Sequence, residues 1–331
     1  MKLASLNNHT RDGQLIIVSR DLKNATNAAD IAATMQYALD HWSDCQTALQ
    51  DRYDALNRGE IKNTFAFNAD KVSAPLPRAY QWADASAYVT HVELVRKSRG
   101  VAMPESFWTD PLMYQGGSDH FLAPHENILL ENPEWGLDFE AEIAVITDDV
   151  PMGISPEAAE KHIKLLMLVN DISLRNLAPN ELQKGFGFFQ CKPASAFSPV
   201  AVTPDELGAA WDGKKIQLPL CSYYNGTRFG APIPAIDMTF DYPKLIAHAA
   251  KTRQLRAGTI IGSGTVSNRN HEEVGSSCIV EKRTLEVLAH GEAKTPYMQF
   301  GDTVKIEMLD KNNQSIFGSI EQTVVPFKKE A

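Results

Sequence analysis

Two short apolar runs open the chain. MKLASL and GQLIIVSR read as strands around a polar turn at Arg11–Gly13. From Ala28 to about Ala55, apolar positions recur at helical spacing with no Pro or Gly between them, which predicts a helix. A polar, irregular stretch follows. SAPLPRAYQWAD then carries two prolines and marks a crossing into a second unit near residue 75. In that unit a helical pattern runs from Asp84 to Arg99, and residues from Met103 to about Pro133 are loop-rich, with YQGGSDHF as a tight turn. Strand signals return at 138–147. SPEAAEKHIKLLMLVND begins with Ser155 and Pro156, an N-cap and a first-turn proline, and predicts a helix that ends near Asp171. Beyond it the pattern gives strands at 198–202, 216–224, 259–267, 277–288 and 302–308, interrupted by a helix at 241–253. The regular βαβα alternation of a doubly wound sheet is missing. The expectation is an α+β chain: a small α/β domain over residues 1–75 and a strand-rich mixed domain over 76–331.

Composition narrows the function classes. Of 331 residues, 44% are hydrophobic and 22% charged, as in ordinary globular proteins. A net charge of −9 disfavours a general nucleic-acid binder, since phosphate calls for a basic surface. The opening residues lack the apolar segment of a secretory signal, and no apolar run reaches membrane-span length, so a cytoplasmic protein is expected. The four cysteines are dispersed, without a CxxC pair, which predicts reduced thiols rather than a disulfide framework or a zinc site. Lys192 beside Cys191 could lower that thiol's pKa.

The stretch GLDFEAEIAVI holds the sharpest chemical question. Glu140 and Glu142 stand two apart in an otherwise apolar strand, on one face. Paired carboxylates in a low-dielectric place repel each other and lose hydration. A hard divalent cation would turn that repulsion into attraction. The other reading is an edge strand with both acids in water, the opposite face being filled by Leu137, Phe139, Ala141, Ile143 and Val145. Asp171, at the end of its apolar run, is a candidate third oxygen ligand. Asp84 and His91, seven apart, would share a helix face. HExxH, GxSxG and P-loop patterns are missing, which removes the usual support for zincins, serine hydrolases and P-loop enzymes. GTIIGSGTVSN is rich in small residues and suits a strand closely approached by a ligand or another backbone.

In their order these pieces resemble the fumarylacetoacetate hydrolase family over roughly residues 75–325. The segments that carry the resemblance are PLP ahead of Asp84, the Asp84–His91 spacing, MP at Met103–Pro104, MYQGG at 113–117, LDFEAEIA at 137–144, NDISLR at 170–175, Lys192 in CKPAS, GSGTVSN at 262–268, and GDTVKIEM at 301–308. The resemblance implies a β-roll catalytic domain. It places metal ligands at Asp84, Glu140, Glu142 and Asp171, for Mg²⁺ or Ca²⁺, with Mn²⁺ as a further option. It implies His91 as the catalytic base and Glu281 as the carboxylate that orients it. Arg175 and Lys192 fall on oxyanion-stabilising positions, Tyr114 and Thr265 on substrate contacts, and Arg99, or else Lys97, near the position that holds a substrate carboxylate. The chain departs from the family pattern at Ala178, where a substrate-contacting glutamine is expected, and at Ser86, where a tyrosine is expected, though Tyr88 is close.

The reaction so implied is hydrolysis of a carbon–carbon bond in a β-diketone acid, here fumarylacetoacetate to fumarate and acetoacetate, the last step of tyrosine and phenylalanine breakdown. The resemblance also implies a homodimer. Relatives with the same acids act on acylpyruvates, decarboxylate oxaloacetate, or hydrate and isomerise ring-cleavage products. A non-catalytic protein holding a structural ion is a third possibility, and it predicts a site without His91 or Lys192.

Overall fold

A computed structural model of the chain describes residues 1–98, 100 and 102–328. The strands Lys2–Leu6 and Gln14–Val18 form the expected antiparallel hairpin. Their side chains alternate between two cores. Leu3, Leu15 and Ile17 pack with Trp42, Cys45, Leu49, Tyr53 and Leu56 of the helix Trp42–Asn57, while Ala4, Ile16 and Val18 face the other way. The predicted helix over 28–55 starts late and is broken. Asn27 holds the Ala29 amide in a side-chain turn (2.7 Å), Thr34 caps a short helix Met35–Asp40, and the longer helix restarts at Trp42.

The fold is α+β and strand-rich. Among the described residues, the main sheet runs in the order Thr64–Ala66, Asn24–Asn27, Gln14–Val18, Lys2–Leu6, Ala201–Val202, Ile163–Asn170, Ala141–Thr147, Ile260–Gly262, Trp82–Ala85, Met113–Gly116. Ala196–Phe197 also pairs with Ile163–Asn170. The N-terminal hairpin joins the rest through Lys2 opposite Val202, so the sheet is continuous across the proline-marked crossing near residue 75. A second sheet of five strands contains Leu220–Tyr224, Thr303–Leu309 and Ser315–Pro326. Among the described residues, no helix is long and apolar enough to cross a membrane.

Three predicted elements are corrected. The run HIKLLMLVN is the strand Ile163–Asn170, and only Pro156–Ala159 and a short 3₁₀ turn, Glu160–His162, are helical ahead of it. Ser155 does cap that short helix (3.3 Å to the Ala158 amide). An unbroken apolar run fits a strand buried on both faces as well as a buried helix, and here the strand lies between neighbours in the middle of the sheet. Asp84 lies in the strand Trp82–Ala85, and the helix begins only at Val89, so Asp84 and His91 share no helix face. The predicted strand 277–288 is the helix Ile279–His290, closed by Gly291 in the left-handed region.

Candidate active site

The strand register gathers the acids. Glu142 lies opposite Val169, two residues before Asp171. Ala144 lies opposite Gly262, Gly262 opposite Asp84, and Asp84 opposite Tyr114. The edge-strand reading of the glutamates therefore fails. Ala141–Thr147 is an inner strand buried along its whole length, with Glu142 fully buried. Asp84, Glu142 and Asp171 each bring one carboxyl oxygen to within 4.8 Å of the others. The strand end at Gly262 must be bare, because a Cβ there would stand 2.3 Å from Asp84 Oδ1. Gly264, at φ +74°, donates its N–H to the same Asp84 oxygen (2.9 Å).

Among the described residues, none donates a hydrogen bond to either carboxyl oxygen of Glu142. Burial, then the charges of Asp84 and Asp171, push its pKa well up. Burial, then Asp171, pushes Asp84 up to about 8. Three converging hard oxygen donors, one pair without donors of its own, fit a divalent cation by the chemistry of the donor set.

Glu140 stands beside this trio with its oxygens already taken. Arg175 Nη2 donates to Oε1 at 2.7 Å, and Lys192 Nζ donates to Oε2. Although burial opposes ionisation, Arg175 and Lys192 hold Glu140 well below the usual carboxylate range. Lys192 also reaches Asp171 Oδ2 (2.6 Å), and its pKa is raised by Asp171 and Glu140 against the opposing cost of burial. Asp171 is further held by Tyr114 Oη on Oδ2 and Ser195 Oγ on Oδ1, both at 2.7 Å. Ser195 escaped the sequence reading although it ends the CKPAS segment.

His91 sits in the first turn of the helix Val89–Ser98, and its Nδ1 meets Glu281 Oε2 at 2.6 Å. Glu281 is fully buried in the first turn of Ile279–His290. Asp138 was also missed. It accepts from Arg175 Nε (2.8 Å) and from the backbone amides of Ile279 (2.7 Å) and Val280 (2.9 Å). The alternation Asp138, Glu140, Glu142 puts three acids on one strand face and could have pointed to it.

Other expected residues fall less centrally. Thr265 is buried in the segment that follows Gly264. The Tyr88 hydroxyl is engaged elsewhere, donating to the Pro234 carbonyl (2.7 Å). Ala178 begins a short helix, Ala178–Leu182. Lys97 is exposed, and Arg99 lies outside the described residues. Lys192 does not bring the Cys191 thiol below its usual range. Burial and then Glu181 raise the thiol to about 12, while the Lys192 ammonium turns to Glu140 and Asp171.

This is the layout of a carboxylate-lined enzyme site: a trio of acids suited to a hard cation, a histidine–glutamate pair, and two cationic side chains. The chain matches the fumarylacetoacetate (FAA) hydrolase C-terminal domain over residues 81–325 and the fumarylacetoacetase N-terminal domain 2 over residues 1–78. It belongs to the fumarylacetoacetate hydrolase family. Oxaloacetate tautomerase YisK of Bacillus subtilis (strain 168) is 26% identical over 206 residues, covering 61% of this chain and 64% of that protein. Fumarylacetoacetase of Dictyostelium discoideum is 26% identical over 230 residues, covering 60% of this chain and 54% of that protein. The matches thus span less than two thirds of either relative. Maleylpyruvate hydrolase from Sphingobium sp. SYK-6, solved with manganese(II) and pyruvate, shares the fold with a TM-score of 0.65 at 16% identity, covering 99% of this chain and 100% of that one.

Proposed function

We propose that the protein hydrolyses a carbon–carbon bond in a β-diketone acid with the help of a divalent cation, its substrate being fumarylacetoacetate and its products fumarate and acetoacetate, in tyrosine and phenylalanine catabolism. The observation that carries this reading is the buried trio Asp84, Glu142 and Asp171, taken together with the hydrogen-bonded His91–Glu281 pair. The trio would hold Mg²⁺, Ca²⁺ or Mn²⁺, with Glu140 at its flank. When bound, such an ion supplies a Lewis-acidic charge that polarises the substrate's oxygens.

The chain's own groups then divide the work. Glu281 accepts from His91 Nδ1, which fixes the tautomer that leaves Nε2 free to take a proton from water. Lys192 and Arg175 spend some of their N–H donors on Glu140, Asp171 and Asp138. An ammonium has three donors and a guanidinium five, so each keeps donors for an oxyanion at the attacked carbonyl. Tyr114 orients Asp171 and, with Thr265, would contact substrate. Arg99 would hold a substrate carboxylate. The reading brings with it a homodimer, a cytoplasmic setting, and a division into residues 1–75 and 76–331.

One observation favours a second substrate. Ala178 lacks the amide expected there in fumarylacetoacetate-cleaving members, and an oxaloacetate tautomerase is among the relatives. An acylpyruvate or oxaloacetate, acted on by hydrolysis, decarboxylation or isomerisation, is that alternative. Purified protein should be assayed for loss of diketone absorbance with fumarylacetoacetate and an acylpyruvate, and for turnover of oxaloacetate. Activity on the acylpyruvate or on oxaloacetate without cleavage of fumarylacetoacetate would replace the first reading with the second.

A further inference from the structure

Arg175 is placed by its backbone only approximately. The short pairing of Ser173–Leu174 with Leu137–Asp138, and its own amide on the Gly136 carbonyl (2.9 Å), bring it beside Asp138. The guanidinium plane is set by two carboxylates, with Asp138 Oδ2 on Nε at 2.8 Å and Glu140 Oε1 on Nη2 at 2.7 Å. Glu140 is shared with Lys192, so it cannot fix the plane alone. Asp138 is shared in a different way. Its Oδ1 takes the Ile279 amide and its Oδ2 the Val280 amide, the first two residues of the helix Ile279–His290. A carboxylate at a helix N-terminus is favoured by the unpaired amides and the aligned dipole, which pin its orientation.

We infer that Asp138 is a positioning residue for the proposed reaction. It transmits the fixed direction of the Ile279–His290 N-terminus to Arg175, and so aims the guanidinium past Glu140 toward the reacting carbonyl. The inference rests on the reading of Arg175 as an oxyanion donor. Asp138 suits the task because it is fully buried and all its partners are donors. An asparagine has the same shape but one acceptor oxygen. With that oxygen in the place of Oδ2 it still accepts from Arg175 Nε and the Val280 amide, but without the charge, and the NH₂ meets the Ile279 amide. In the flipped placement the NH₂ meets Arg175 Nε and the Val280 amide, donor against donor. The helix start has further ties, since the Ala141 amide bonds to the Ser277 carbonyl (2.9 Å) and Glu140 bridges Cys278. In either placement the substitution therefore loosens the brace on the arginine, while these further ties keep the helix start and the His91–Glu281 pair in place.

The test compares Asp138→Asn, Arg175→Gln and the double variant. Asp138→Asn is expected to lower kcat about 10–100-fold per folded molecule, as supporting carboxylates of metal sites do, with KM little changed. It should add almost nothing to the loss in Arg175→Gln, because both remove one aligned donor. In the proton–nitrogen NMR spectrum, the downfield, slowly exchanging Arg175 Nε–H should move upfield and exchange faster in Asp138→Asn, while the His91 ring signals stay in place. Wild-type kcat in Asp138→Asn, or losses that multiply in the double variant, overturns the inference. A merely structural aspartate would instead shift the His91 and Arg175 signals together and lower activity in step with the folded fraction. If wild type turns over none of the diketone or oxo acids, the functional reading fails by itself. The brace is then judged by the Nε–H signal, whose unchanged shift and exchange rate in Asp138→Asn overturns it. If Asp138→Asn does not fold, wild type decides the matter, since an Arg175 Nε–H that exchanges like that of a surface arginine contradicts a carboxylate brace.

Discussion

Replacing Glu142 by glutamine tests the buried acids most sharply, because it keeps the shape and removes one charge. One Glu142 oxygen lies within 4.8 Å of oxygens from Asp84 and Asp171. At an effective dielectric constant of about 20, two ionised groups at that distance repel by about 3.5 kcal/mol. Among the described residues, Glu142 has no hydrogen-bond donor to offset this. In metal-free protein, burial and the neighbouring acids favour the protonated forms of Glu142 and Asp84, so the substitution removes little that the fold depends on. Glu142→Gln should then melt within a few degrees of wild type in chelator. A divalent cation separates the two proteins. At a hundred times its Kd, an ion stabilises wild type by about 2.7 kcal/mol. With an unfolding entropy of about 2.1 cal/mol/K per residue over 331 residues, that is roughly 4 °C in Tm. Glu142→Gln should gain almost none of it. Differential scanning fluorimetry with EDTA, then with Mg²⁺ or Mn²⁺, reads both effects. A variant that gains as many degrees as wild type would refute the idea that these three carboxyls share the ion.

Stability in chelator should fall as pH rises from about 4 to about 8. Folding raises Asp84 from 3.8 to about 8, so the folded state holds more protons than the unfolded chain over that window, and losing them costs stability. Tm measured across the window with EDTA, and again with saturating Mg²⁺, should show the decline only in EDTA, and a parallel decline with the ion present would contradict the linkage. His91→Ala should cut kcat about 10²–10⁴-fold and leave calorimetric metal affinity near wild type; unchanged turnover removes His91 from the chemistry. Gly264→Ala sets a Cβ 2.1 Å from the Ala85 carbonyl at φ +74°. It should cost about 1–3 kcal/mol in denaturant unfolding and weaken metal binding, because the same residue's amide holds Asp84; wild-type values of both would dismiss this account of the glycine.

Much of the site could be read in the chain because its chemistry is local in sequence. The two-residue spacing of Glu140 and Glu142 and the ordered segments around Asp171 and Lys192 need no tertiary knowledge. What failed was the backbone beneath them. Ile163–Asn170 is apolar at nearly every position, so it has no period from which to tell a doubly buried strand from a helix, and Asp171 was therefore placed at a helix end. Ile279–His290 mixes β-branched residues with a helical charge pattern, so its apolar positions suit a strand as well as a helix. Lys192 lies next to Cys191 in sequence, yet its charge is spent on partners 52 and 21 positions away. Asp138 and Ser195 lay inside recognised segments. Their roles depend on a helix N-terminus 141 positions on and on an aspartate 24 positions back, pairings that only the fold creates.

The most direct test of the central claim is turnover of fumarylacetoacetate by the purified protein before and after chelation, with Mg²⁺ or Mn²⁺ then restored. The account predicts loss of the diketone absorbance with release of fumarate, abolished by chelator and recovered with the ion in wild type but not in Glu142→Gln. Cleavage that continues undiminished in chelator, or that Glu142→Gln carries out at the wild-type rate, would contradict it.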